Sequence, residues 1–340
     1  MNFSLKNRRF FRSGVLGLIL GLTAQGCGPQ ALNFSILPTG LGAYQGSVAN
    51  NKVDVLWVVD NSGSMLTKQQ NLATSFDSFT QIFLAKGFDF HMAIVTTDTR
   101  ATPIGQAGEF QGVPTVITNT TPAFSNTFKA NVVAGSFGDP AAKALDAILL
   151  ALSPGLLATA NTGFLRDDAH LAVVIVSDAD DNDSAATEAD TTAFLSALKP
   201  DVFDVINRTY KPNYTISAAV VDTSNPLNAA CPLPFEDGAK FKSLAAATDG
   251  SITSICEADF STGLVNISKR IAEAITQIPL GRTPVAGTIS VKFNGVAQTE
   301  DATNGWTYES TGNKIVFHGS GIPVDNVSIN IDYLPNDIIR

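Results

Sequence analysis

Three oxygen-bearing side chains fall at alternate positions in Asp60-Asn-Ser62-Gly-Ser64, and the first chemistry such a D-x-S-x-S run offers is capture of a hard cation. Mg²⁺ takes oxygen ligands in near-octahedral geometry. Serine hydroxyls supply oxygen without charge, while a carboxylate balances part of the ion. A site with few anionic ligands leaves the metal residual positive charge, and the metal then seeks a carboxylate from outside. The same residues ahead of a helix can also act as a plain N-cap, and that alternative stays open here. Further on, Asp178, Asp180, Asp181 and Asp183 crowd one short stretch. The last three could hold a second ion such as Ca²⁺, but a solvated acidic loop is the expectation. Catalytic patterns are missing: there is no G-x-S-x-G elbow, no phosphate-cradling loop and no zinc spacing. The three histidines, His91, His170 and His318, are scattered and read as structural or surface residues.

The elements around these residues follow from periodicity. Val53–Val59 is a nearly continuous apolar run, as a central parallel strand requires. Leu72, Phe76, Phe79 and Phe83 then recur at helical spacing over 64–85. Strands are expected at Phe88–Thr97, His170–Ser177, Tyr214–Val221 and Ser251–Ile255, with an extra hairpin over Phe110–Asn119. Helices are expected at Asp139–Leu152, with Pro140 in its first turn, and at Thr187–Leu198, Phe241–Ala247 and Phe260–Ile278. Strands alternating with helices imply a parallel sheet covered on both faces. After Pro279 the pattern becomes purely β: Ile289, Val291 and Phe293 alternate, Asn294-Gly295 offers a tight turn, and further short strands follow. A small all-β, sandwich-like module is expected over 283–335.

A D-x-S-x-S run placed directly after a buried strand and before a helix resembles the metal-ion-dependent adhesion site (MIDAS) of von Willebrand factor A-type (vWA) domains. In open parallel sheets ligands bind beyond the carboxyl ends of the strands, where this loop sits. The resemblance implies a doubly wound, mostly parallel α/β domain over 51–279, Rossmann-like in layout. It also implies five metal ligands. Asp60, Ser62 and Ser64 are three; Asp178, directly after the strand His170–Ser177, is the fourth. The fifth is a hydroxyl from the loop before a central helix, here Ser136 in Gly135-Ser-Phe-Gly-Asp139, a serine where the family usually has threonine. Thr97 and Thr99, after the second strand, are the other candidates. One divalent cation is implied, Mg²⁺ first and Mn²⁺ or Ca²⁺ as alternatives, together with a protein or surface partner that offers a carboxylate.

The N-terminus carries Lys6, Arg8, Arg9 and Arg12, then an apolar run over Gly14–Leu22 and Ala24-Gln-Gly-Cys27. This three-part layout is that of a secretory signal, and a cysteine after a small residue resembles a bacterial lipobox. The expectation is a signal peptide over 1–26, lipidation of Cys27, anchorage in the outer membrane, and a flexible tether over 27–50. Ordinary cleavage nearby, with Cys27 left as a thiol, is the alternative. Loss of residues 1–26 removes four cations and no acids, taking the formal charge from −9 to −13. So acidic a chain is a poor match for nucleic acid or for anionic lipid. Cys231 and Cys256 are the expected disulfide in an oxidising compartment, contributing about 3.5 kcal/mol in the chain-entropy model; two buried thiols are the alternative. Their segment also looks like the late loop region of exported bacterial vWA proteins. The functional expectation is a metal-dependent, adhesion-type binding module without enzymatic turnover. A structural envelope scaffold with an incidental metal is the competing reading.

Overall fold

A computed structural model of the chain describes residues 42–47, 51–101, 105–200, 202–204, 209–224, 236–323 and 327–336. The expected signal segment, Cys27, most of the expected tether and Cys231 lie outside these residues. Residues 40–340 form one compact unit.

The chain opens with β1 (Gly42–Ser47), followed by β2 (Lys52–Val59), α1 (Leu66–Lys86), β3 (Asp89–Thr96), β4 (Ile117–Thr118), α2 (Phe124–Asn131), α3 (Ala144–Ala151) and α4 (Pro154–Leu157). Next come β5 (His170–Ser177), α5 (Glu188–Leu198), a small ribbon of β6 (Val202–Asp204) and β7 (Thr209–Lys211), β8 (Tyr214–Val220), α6 (Ala239–Ala247), β9 (Ile252–Ser254) and α7 (Ser261–Thr276). The main sheet has the order β4-β3-β2-β5-β8-β9. Every neighbouring pair is parallel except β3 with β4.

Alternation sorts the central strands into two cores. Val53, Val55, Trp57 and Val59 of β2 join Leu72, Phe76, Phe79 and Phe83 of α1 and Leu264, Ile267 and Ile271 of α7. Leu56 and Val58 turn the other way, onto Leu145 and Ile148 of α3, Leu195 of α5 and Leu244 of α6. The fold is therefore an α/β, doubly wound, mostly parallel sheet with helices on both faces. α1 stops at Gly87, whose left-handed φ of 64° lets its N–H close back on the Phe83 and Leu84 carbonyls, a conformation that costs a Cβ-bearing residue more.

Some boundaries differ from the sequence reading. α3 begins at Ala144 rather than Asp139, because Asp139 turns its carboxylate onto the Ala141 amide at 3.1 Å and the helix amide of Leu145 is capped from elsewhere. The hairpin expected over Phe110–Asn119 shrinks to two residues beside β3. α2 is not among the helices expected from the sequence; it packs through Phe128, which stacks on Phe76 with ring centroids 3.5 Å apart and meets Trp57 edge-on.

The β module is built from β10 (Gln277–Pro279), β11 (Ser290–Phe293), β12 (Val296–Ala297), β13 (Trp306–Glu309), β14 (Lys314–Phe317) and β15 (Ser328–Tyr333). Two antiparallel sheets, β1-β15-β11-β12 and β10-β14-β13, enclose Val291, Trp306, Ile315, Phe317, Ile329 and Ile331. Asn294 and Gly295 both adopt positive φ, as a two-residue hairpin turn demands. Two departures alter the expected domain limits. Gly42–Ser47, in the expected tether, pairs with β15 over six residues, and Gln277–Pro279, in the expected vWA segment, pairs with β14. The edge of β15 leaves backbone groups that need partners, and the segment before the α/β part meets that need. The α/β part is thus inserted between strands of the β module.

Candidate metal centre

The site is assembled where the strand order reverses. From β2 the chain moves to β3 on one side, then crosses to β5 on the other, and crevices at such switch points receive ligands. Register aligns the ends of three strands: Val59 lies opposite Thr96 and Val176. One residue further, the Asp60 amide donates to the Val176 carbonyl at 2.9 Å and the Thr97 amide to the Val59 carbonyl at 3.2 Å. Thr97, Asp60 and Ser177 therefore stand side by side.

Asp60 is fully buried. Its Oδ1 accepts the Ser62 amide at 2.7 Å, and its Oδ2 accepts the Ser177 hydroxyl at 2.7 Å. Ser177 is itself steadied by the Ala179 backbone, whose amide it accepts at 3.1 Å and whose carbonyl, 2.9 Å away, competes with Asp60 for its single hydroxyl proton. Across the crevice the Ser64 hydroxyl donates to Asp178 Oδ1 at 2.9 Å. These bonds answer the capping alternative. The N-cap of α1 is Met65, with no side-chain cap hydrogen bond, and the Asp60 carboxylate and Ser64 hydroxyl bond to Ser177 and Asp178 instead.

Ser136 is half-buried, and its hydroxyl makes no hydrogen bond to Asp60 or Asp178 among the described residues. Its loop is nonetheless fastened to the site. Gln69 of α1 donates to the Asp60 carbonyl at 2.9 Å and to the Gly135 carbonyl at 2.8 Å, and accepts the Gly135 amide at 3.1 Å. The Gly138 amide donates to the Asn61 carbonyl at 2.9 Å. Thr97 offers another hydroxyl: it is buried and its Oγ1 has no hydrogen-bond partner. Thr99 is half-buried. Ser177, Gln69 and Asn61 are the residues that the sequence reading missed. Ser177 carried a usable signal, a polar residue ending an otherwise apolar strand; Gln69 looked like any helix-surface amide.

The acidic stretch is not a solvated loop throughout. Asp181 is fully buried; one carboxylate oxygen caps α3 through the Leu145 amide at 2.8 Å and takes the Ser184 hydroxyl at 2.7 Å. The Asp180 carboxylate takes the Lys240 amide at 3.2 Å, and Asp183 is exposed. Burial disfavours the charged form of Asp178 and raises its carboxyl above the ordinary range. The Asp60 charge pushes the same way, and the Ser64 hydrogen bond works against both. The Lys68 charge favours the ionised form of Asp178 and offsets part of this, and a cation shared by the two carboxylates would relieve their mutual repulsion.

Among the described residues no three His, Cys, Asp or Glu side chains gather as a metal-binding group. This crevice holds two carboxylates, and its other donors are hydroxyls. An all-oxygen set of this kind fits a hard divalent cation that keeps some of its water. Asp60, Ser62, Ser64 and Asp178 would hold it, with Ser136 or the orphan Thr97 hydroxyl completing the set, and the ion would supply positive charge at the crevice mouth. Elsewhere, Cys256 is disulfide-bonded, and no described helix is long and apolar enough to cross a membrane.

No family model matches the chain, and no curated protein matches it. Among solved structures it is similar to proximal thread matrix protein 1 from the mussel byssus, at 10% identity and a TM-score of 0.40, over 66% of this chain and 49% of that one. It is also similar to the pilus adhesin SpaC from Lactobacillus rhamnosus GG, at 11% identity and a TM-score of 0.35, over 86% of this chain and 41% of that one. The chain spans less than half the length of each. At these scores neither neighbour bears on function.

Proposed function

We propose that this protein is a metal-dependent binding module of the bacterial envelope, vWA-like in its head, in which a MIDAS-type cation completes its coordination with a carboxylate of the partner. The observation that carries the reading is the Asp60–Ser64–Asp178 cluster: two carboxylates and the serines between them, brought to the carboxyl ends of β2 and β5 by parallel register. Mg²⁺ is the proposed ion, with Mn²⁺ and Ca²⁺ as alternatives. The proposed role of the site is binding, with the cation as the point of contact. Lipidation at Cys27 would hold the protein at the outer membrane, a proposal that the lipobox-like sequence supports.

Calorimetric titration of the purified protein with Mg²⁺ and Mn²⁺ tests this. One-site binding is expected, and Asp60→Ala should abolish it without changing the circular dichroism spectrum. Identical heats from wild type and variant would sink the metal reading and leave a scaffold role.

A further inference from the structure

β9 ends the main sheet on one side, and no described strand pairs beyond it. The Ser251 carbonyl accepts the Ala218 amide at 2.8 Å and the Ile255 amide donates to the Val220 carbonyl at 3.1 Å, so alternate residues direct their backbone groups to β8. Ile252 falls between them and turns its N–H and C=O outward; its side chain is exposed as well. Outside this edge runs a groove of about 490 Å³ whose other wall is the second half of α7. Asn266, Lys269, Arg270 and Glu273 line that wall. Their i, i+3, i+4, i+7 spacing makes one helical stripe, set apart from Leu264, Ile267 and Ile271, which face the core.

The strand side of the groove is braced. A Cβ at Gly250 would strike the Ile216 carbonyl, and the Ile216 amide donates to the Thr248 hydroxyl at 2.8 Å, so the turn before β9 is clamped to β8. On the helix side, Arg270 donates to the Asp249 carbonyl at 2.6 Å and pairs with the Asp249 and Glu273 carboxylates, which offset its charge. Lys269 is exposed and has no ion pair among the described residues. An uncompensated cation thus shares the groove with an outward-facing peptide unit. We propose that this groove docks an extended polypeptide segment of a partner protein, which adds to the β9 edge at Ile252 and sets an Asp or Glu against Lys269. An unpaired N–H and C=O on a sheet edge are matched by another backbone, whereas a free anion would use Lys269 alone. The contact is short, so docking is weak and exchangeable, and it requires no metal.

The test uses a fluorescein-labelled heptapeptide, Thr-Val-Thr-Asp-Thr-Val-Thr with a blocked C-terminus, and its counterpart with Lys at the centre. Both are titrated by fluorescence anisotropy in EDTA, so that no cation can capture the carboxylate elsewhere on the protein. Wild type should bind the Asp peptide at least about fivefold more tightly than the Lys peptide. The net charge of −9 pulls the other way over the rest of the surface, so an Asp preference reports a local cation. Lys269→Glu, an exposed change whose fold is checked by circular dichroism, should reverse the order. The Asp peptide should also slow hydrogen exchange of the Ile252 amide by about tenfold or more. Absence of saturable binding to wild type, an order unchanged in Lys269→Glu, or protection that leaves out Ile252 would overturn the docking assignment.

Discussion

Asp60 has both carboxylate oxygens engaged, one by the Ser62 amide and one by the Ser177 hydroxyl, so its orientation is set before any ligand arrives. Side chains that hold a metal-binding carboxylate in place typically matter by about 10–100-fold in affinity. Ser177→Ala should therefore weaken Mg²⁺ binding by about tenfold or more while leaving a cooperative fold, measured by titration beside a urea melt. Unchanged affinity would mean that the Ser62 amide alone suffices to orient Asp60. Asp178 is held less firmly, by the exposed Ser64 hydroxyl, and so is the ligand freer to adjust as coordination forms.

At the scale of the element, β5 carries the site at one end and a buried histidine at the other. His170 is pushed down to about 4, first by burial and also by the charge of Lys199, against a hydrogen bond that the ring donates to Asn213 and that favours protonation. Unfolding returns the imidazole to water, where it takes up a proton near pH 6.5. Between pH 6.5 and 4 the unfolded chain therefore binds more protons, and stability falls as pH falls. The loss over that window is about 3 kcal/mol at 1.4 kcal/mol per unit, given the depression to about 4. Asp54 acts in the opposite sense, since burial raises its carboxyl despite the Arg166 guanidinium beside it. The useful readout is consequently a difference. Urea midpoints from pH 7 to 4 should fall less steeply in His170→Gln than in wild type, and parallel profiles would show that His170 does not drive the slope.

At the scale of the molecule, the α/β part is spliced into a β module that needs β1 to cover β15. Removing residues before Asn51 should destabilise the module by on the order of 2 kcal/mol and leave a strand edge open to other chains. Hydrogen exchange should show lost protection in β15 but not in β5, and light scattering should show self-association. Unaltered β15 protection would mean that β1 adds nothing to the module.

Much of the architecture was legible in the sequence because burial writes itself into composition. β2 and β5 are buried on both faces and read as unbroken apolar runs; α1 shows its core face in Leu72, Phe76, Phe79 and Phe83. The loop Asp60–Ser64 and Asp178 were legible too, since each directly follows such a strand. What only the tertiary structure decided are pairings between distant segments, which leave no local periodicity. These include Ser177 locking Asp60, Gln69 tying α1 to Gly135, Asp181 capping α3 from another loop, and β1 joining β15 across the whole α/β part. A hydrophobic pattern reports which face of an element is buried, but not which segment supplies the hydrogen bonds that burial makes necessary.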